Sequence, residues 1–202
     1  MISTGTRFGA DCPPDEQRTV DPMSLLRRWI PSGDPPPLMA LATLGQDGYP
    51  RVRHVLLSAC VGDHIYFHTD SRSAKVAELA AAPRAAVTLA WPEVARQVVA
   101  HGDVRPAEPA ELRRAYAERS RYLQLLAWLN DAEHAALDTP GRHQRWQAFD
   151  LAHPHLEPPP TWTGYTLAPR EITFWRGDAA GPSQRTRFIR DGTSWRTEVL
   201  PG

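Results

Sequence analysis

The sequence predicts a mainly β, antiparallel barrel with flanking helices. Short apolar runs recur at close spacing, with turn signals between many of them. Helical stretches are too few and too unevenly placed for alternating strand–helix units. The chain has 202 residues, 42% of them hydrophobic and 23% charged. That length buries roughly 70% of the unfolded surface, so no disulfide or metal staple is needed.

Residues 1–20 are polar, aperiodic and contain Pro13-Pro14, which predicts a flexible N-terminal arm. Residues 21–202 read as a single domain. Asp21 is an N-cap and Pro22 suits the first helical position. Leu25, Leu26, Trp29 and Ile30 follow at helical spacing, and Pro31-Ser32-Gly33 stops the helix. Strands are expected over 38–44 and 51–57, joined by the turn Gln46-Asp47-Gly48, with a third over 65–68. A helix over 74–82, capped by Ser73 and closed by Pro83, precedes strands over 85–91 and 96–104. Three helical stretches follow, over 109–120, 122–130 and 141–151, and an extended linker runs from His153 to Pro160. Strands return over 164–167, 171–175, 185–190 and 194–199, with Asp191-Gly192 turning the last pair.

Composition narrows the function. Lys plus Arg and Asp plus Glu balance at 23 each, which gives no electrostatic case for nucleic acid or an anionic membrane. Cys12 and Cys60 form neither a disulfide framework nor a zinc pattern, and His153-Pro154-His155 lacks a third ligand, so no metal is expected. Met1 to Gln17 has no apolar core like a signal peptide, and no apolar run is long enough to span a bilayer. A cytoplasmic protein is expected.

Of the 23 basic residues, 22 are Arg; the exception is Lys75. It falls in the first turn of its expected helix, with Thr69, Ser71, Arg72 and Ser73 just upstream. A cation, hydroxyls and free backbone N–H groups at the positive end of a helix suit an anion. The same residues also describe an ordinary cap with solvated charges. Arg53, on a neighbouring strand, can offer a planar fork to a phosphate oxygen. No glycine-rich phosphate loop is present, so side chains must hold any phosphate.

From Asp21 onward these segments resemble, in order, the pyridoxamine 5′-phosphate oxidase family of FMN-binding split barrels. The matching stretches are Asp21 to Trp29, Met39 to Thr43 with Asp47-Gly48, Arg53 to Leu57, Phe67 to Lys75, and Arg96-Gln97-Val98 with Gly102. The C-terminal match is Trp162-x-Gly164-Tyr165, Ile172-x-Phe174-Trp175, Arg185 to Arg187, Trp195 and Leu200-Pro201. The resemblance implies an antiparallel split β-barrel that forms a homodimer with FMN at the subunit interface. It implies that Arg53 and Lys75 hold the FMN phosphate, with the hydroxyls of Thr69 and Ser73 assisting. Val55 and Leu56 would line the ring, followed by Ser58, and His68 would stand beside Thr69. Gln97 would meet the pyrimidine edge, and Trp175 and Arg185 would close the site from the partner chain.

The chain departs from the family where a phosphorylated substrate is gripped. The family's Lys after the Arg-x-Val-Leu-Leu strand is Ser58, its helix Ser is Leu123, and its C-terminal Arg-x-His falls in Gly181-Pro182-Ser183. Arg119 persists, Tyr116 is a candidate beside it, and Ser183 is a third substrate candidate. An Arg next to the phosphate Lys is Ala74 here, with Arg72 as a displaced substitute. Each lost charge-assisted contact costs about 1.5–3 kcal/mol, so a phosphorylated substrate is disfavoured. The expectation is an FMN-dependent oxidase or dehydrogenase that takes a hydride from a small cyclic amine or dihydroaromatic intermediate. It would work in specialised biosynthesis with O2 as acceptor, a layout similar to phenazine-biosynthesis oxidases. His54 and His68 are the candidates for a general base. The competing expectations are an authentic pyridoxine or pyridoxamine 5′-phosphate oxidase and a non-catalytic flavin- or deazaflavin-binding module.

Overall fold

The computed structural model describes residues 21–31 and 36–202. The expected arm over 1–20, with Cys12 and Pro13-Pro14, and the helix stop at Ser32-Gly33 lie outside the described residues. The chain divides into two compact units. One comprises residues up to Phe67, Ala74–Arg105 and Tyr165–Gly202; the other comprises His68–Ser73 and Pro106–Gly164.

The first unit opens with α1, Pro22–Trp29. Asp21 caps it by accepting from the backbone N–H groups of Met23 at 3.2 Å and Ser24 at 2.9 Å. The strands are β1 Leu38–Leu44, β2 Pro50–Leu56, β3 Ala59–Val61, β4 His64–Asp70, β5 Arg84–Trp91, β6 Arg96–Pro106, β7 Trp162–Arg176, β8 Gln184–Asp191 and β9 Ser194–Pro201. The end of β4 and the start of β7 belong to the second unit. Helix α2, Ala74–Ala81, lies between β4 and β5. The sheet order is β2-β1-β5-β6-β7-β4-β3, and β8 pairs with both β7 and β9. The pairs β1–β2, β1–β5, β3–β4, β5–β6, β7–β8 and β8–β9 are all antiparallel. The fold is therefore mainly β with helices, as the spacing predicts.

Alternating burial along β1 and β5 turns one face of each strand into the core. Trp29 of α1 meets Phe174 edge-on at 5.1 Å and Trp91 at 6.4 Å, and Phe174 in turn meets Phe188 at 5.7 Å. These edge-to-face contacts favour the ring quadrupoles and lock the helix to β5, β7 and β8. The expected turns form at Gly48 and Gly192, whose φ values of 82° and 59° suit glycine.

Three differences from the sequence reading have clear causes. β3 is too short to show alternation, at three residues. The two strands expected over 164–175 are one continuous β7, because Pro169 is buried within the strand rather than ending it. There β6 runs so close that a Cβ at Gly102 would stand 2.0 Å from the Ala168 carbonyl oxygen. The stretch expected to be helical to Ser120 ends at Ala117, and Ser120 caps the next helix instead.

The second unit holds four helices among the described residues: α3 Pro109–Ala117, α4 Arg121–Leu129, α5 Ala132–Ala135 and α6 Thr139–Ala152. Its packing is aromatic, with Tyr122 against Trp146 at 5.4 Å and Trp128 against Phe149 at 5.8 Å.

Candidate functional site

In the first unit, β2 presents Arg53, Val55 and Leu56 in succession. Period-two alternation buries Val55, leaves Arg53 half-buried and turns His54 outward. Arg53 lies opposite Leu41 of β1. Its Nη1 donates to the Thr43 hydroxyl, and its Nη2 donates to Glu78 Oε2 at 2.6 Å. The Thr43 hydroxyl donates to the same carboxylate oxygen at 2.5 Å. Burial opposes ionisation of Glu78, but the hydrogen bonds from Thr43 and Arg53 and the guanidinium charge outweigh it and hold the carboxyl below its usual range.

Glu78 is one turn beyond Lys75 on α2, so the two share a helix face. The Arg53–Glu78 pair thereby ties the strand bearing one expected phosphate ligand to the helix bearing the other. Sequence reasoning passed over Glu78 and Thr43 because their bond spans 35 positions. The only local hint was an acid on the helix of the lone lysine.

Elsewhere in this unit Trp175 and Arg185 are directly opposed in the β7–β8 ladder, so the register joins two expected cofactor residues. Gln97 is exposed on β6 and makes no side-chain hydrogen bond among the described residues. Ser58 is exposed just past β2, its backbone N–H donating to the Tyr66 carbonyl at 2.9 Å. Ser183 is half-buried at the approach to β8.

In the second unit, Thr69 and Ser73 are half-buried. Arg72, the displaced substitute for the family arginine, grips Asp70 with its guanidinium at 2.6 Å, and its backbone N–H donates to the same side chain at 2.7 Å.

His68 is buried and stacks on Trp162, with ring centres 5.1 Å apart and planes 4° from parallel. Gly164 makes room for it, since a Cβ there would lie 2.4 Å from the imidazole carbon. Its Nε2 is 3.6 Å from Glu111 Oε1. Burial, with the charges of Arg119 and Arg114, pushes its pKa down to about 4. His68, expected as a base and a flavin contact, is thus packed in the core against Trp162. His54 is the exposed histidine of the two candidates.

Tyr116, expected as a substrate residue, is also buried. Its hydroxyl donates to the Gln124 carbonyl at 3.2 Å and accepts from Trp128 Nε1 at 3.1 Å, which fastens α3 to α4. Arg119 differs. Its guanidinium lies 4.3 Å over the Trp162 ring, and no carboxylate pairs with it among the described residues. Burial lowers its pKa to about 10, partly countered by Tyr116. Trp162 is itself fixed, its Nε1 donating to the Leu112 carbonyl at 2.9 Å.

Comparison with known proteins decides what this arrangement belongs to. The family profile described as pyridoxamine 5′-phosphate oxidase matches residues 30–149. The chain belongs to the pyridoxamine 5′-phosphate oxidase family. A second profile, the pyridoxine 5′-phosphate oxidase C-terminal dimerisation region, matches residues 162–201. The pyridoxine/pyridoxamine 5′-phosphate oxidase of Caulobacter vibrioides is 32% identical over 195 residues, covering 93% of this chain and 88% of that protein. The enzyme of that name from Sphingopyxis alaskensis is 34% identical over 189 residues, covering 89% and 87%. Among solved structures, PhzG from Burkholderia lata 383, in complex with tetrahydrophenazine-1-carboxylic acid, superposes with a TM-score of 0.77 at 26% identity. That match covers 93% of this chain and 95% of the other. A pyridoxamine 5′-phosphate oxidase-related protein from Nostoc punctiforme shares the fold, with a TM-score of 0.68 at 21% identity over 82% of this chain and 88% of that one.

Membership makes this chain an FMN-dependent oxidase with an antiparallel split-barrel fold and the family's dimerisation region. Its donor set fits the cofactor. Arg53 keeps guanidinium N–H groups beyond the two bonded to Thr43 and Glu78, Lys75 sits in the first turn of α2, and the Gln97 amide offers both a donor and an acceptor. Among the described residues no helix is long and apolar enough to cross a membrane, and no cluster of His, Cys, Asp or Glu could hold a metal.

Proposed function

We propose that this chain is a cytoplasmic, homodimeric FMN-dependent oxidase acting on a carboxylated, partly reduced cyclic or aromatic intermediate of specialised biosynthesis, with O2 as final acceptor. One observation carries the reading: Arg119 stacks on Trp162 with no carboxylate partner among the described residues, whereas the other positions expected to grip a phosphate are Ser58, Leu123 and Pro182. One guanidinium suits a carboxylate, while a phosphate dianion calls for several cations. The neighbour PhzG, which binds a tetrahydrophenazine carboxylic acid, supports the same class.

Residues 21–202 act as one functional domain in this reading, and the paired profiles over 30–149 and 162–201 support it. Bound FMN supplies a hydride acceptor, and the protein supplies orientation. Arg53 and Lys75 hold its phosphate, aided by the hydroxyls of Thr69 and Ser73. The Val55-Leu56 backbone lies along the ring and Gln97 pairs with its polar edge. Trp175 and Arg185 serve the site formed with the second subunit. Arg119 fixes the substrate carboxylate, and exposed His54 is the residue available to take up a proton.

The names of the curated relatives favour a second reading, an authentic pyridoxine or pyridoxamine 5′-phosphate oxidase. Steady-state assays of the FMN-loaded protein with tetrahydrophenazine-1-carboxylic acid and with pyridoxine 5′-phosphate separate the two. The proposal expects turnover of the carboxylic acid and a far weaker kcat/KM for the phosphate. Micromolar KM and ordinary turnover with pyridoxine 5′-phosphate would establish the second reading instead.

A further inference from the structure

Glu78 is a buried acid placed where an anion is to be bound. Its side chain is 10% exposed, and Thr43, whose hydroxyl touches it, is 4% exposed as a residue. A carboxylate there repels a phosphate, so its contribution must come through another group. The geometry identifies that group. Thr43 accepts from Arg53 Nη1 and donates to Glu78 Oε2, and Glu78 Oε2 also accepts from Arg53 Nη2. These three bonds close a triangle linking β1, β2 and α2. Arg53 is a long side chain on a half-buried strand position, and unrestrained it would lose considerable rotamer freedom on meeting a ligand.

We propose that Glu78, supported by Thr43, is a positioning residue that holds the Arg53 guanidinium ready for the FMN phosphate. The proposal rests on the reading of Arg53 as a phosphate ligand. Glu78 makes no contact with the cofactor in it; it acts by orienting Arg53.

The test is equilibrium binding of FMN, and of riboflavin as the phosphate-free comparator, to the full-length apoprotein by flavin fluorescence quenching. Glu78→Ala should weaken FMN about tenfold and leave riboflavin unchanged, since only the tail is affected. Glu78→Gln keeps an oxygen that can accept both bonds and removes the repelling charge, so it should bind FMN at least as tightly as the parent. If Glu78→Ala does not fold, Thr43→Val against Thr43→Ser carries the comparison, with Val weakening FMN and Ser restoring it. Unchanged FMN affinity in Glu78→Ala, alongside a loss in Arg53→Ala, would overturn the positioning role and leave the Arg53 reading standing. Unchanged affinity in Arg53→Ala would overturn that reading itself. Equal losses for FMN and riboflavin in both Glu78 variants would mark a general structural role and overturn the proposal.

Discussion

The guanidinium of Arg119 lies 4.3 Å from the centre of the Trp162 ring, and among the described residues no acid neutralises it. The indole face partly compensates a cation that burial has made less comfortable, and a ligand anion can complete the compensation. A flat, delocalised cation is what such stacking requires, which an ammonium does not reproduce.

Arg119→Leu should therefore raise KM for a carboxylated substrate by about 10- to 100-fold, the loss of one charge-assisted contact. The effect on kcat should be small, because the contact is made equally in the ground and transition states. Arg119→Lys should recover little of it. Steady-state kinetics with tetrahydrophenazine-1-carboxylic acid checks this, and wild-type KM in Arg119→Leu would remove the residue from the substrate site.

Lys75→Ala should weaken FMN by about 10- to 100-fold, again the worth of one ionic hydrogen bond. Riboflavin affinity should stay near that of the parent. Fluorescence titration of the apoprotein reads both, and equal loss for the two flavins would mean that Lys75 does not serve the phosphate.

His68 gives a pH dependence. The buried ring resists protonation down to about pH 4, whereas its ordinary value is 6.5. Between these values the unfolded chain binds the proton and the folded chain does not, so stability falls as pH drops through that window. Glu111, Arg114 and Arg119 are the charged groups near it. His68→Phe, which keeps a flat ring against Trp162, should flatten the slope of denaturation midpoint against pH between 6.5 and 4. An unaltered slope would show that another group sets the acid limb.

Gly102→Ala should destabilise the fold by more than about 2 kcal/mol, since the new methyl meets backbone that cannot rotate away. The obstacle is the Ala168 carbonyl at 2.0 Å, with Pro169 Cα at 2.8 Å. Urea denaturation measures it, and a midpoint equal to the parent's would mean that β6 and β7 can separate locally.

Much of this architecture was legible in the sequence because its signals are local. Asp21-Pro22 caps α1, and the Gly48 and Gly192 turns lie where Asp-Gly dipeptides put them. Lys75 announces itself as the lone departure from arginine. What stayed hidden depends on long-range contact. Pro169 looks like a strand breaker until β6 is seen to pass beside it at Gly102. His68 looks like an accessible base until Trp162 and Gly164 enclose it from far along the chain. Thr43 and Glu78 carry no pattern of their own and acquire meaning only when both meet Arg53.

The place of Lys75 in the first turn of α2 has a chemical consequence beyond affinity. Apart from the chain's own α-amino group, an amine-directed acylating reagent has a single side-chain target in all 202 residues. Mass spectrometry of the labelled protein, with and without riboflavin phosphate, therefore reads occupancy of that corner without altering a single residue.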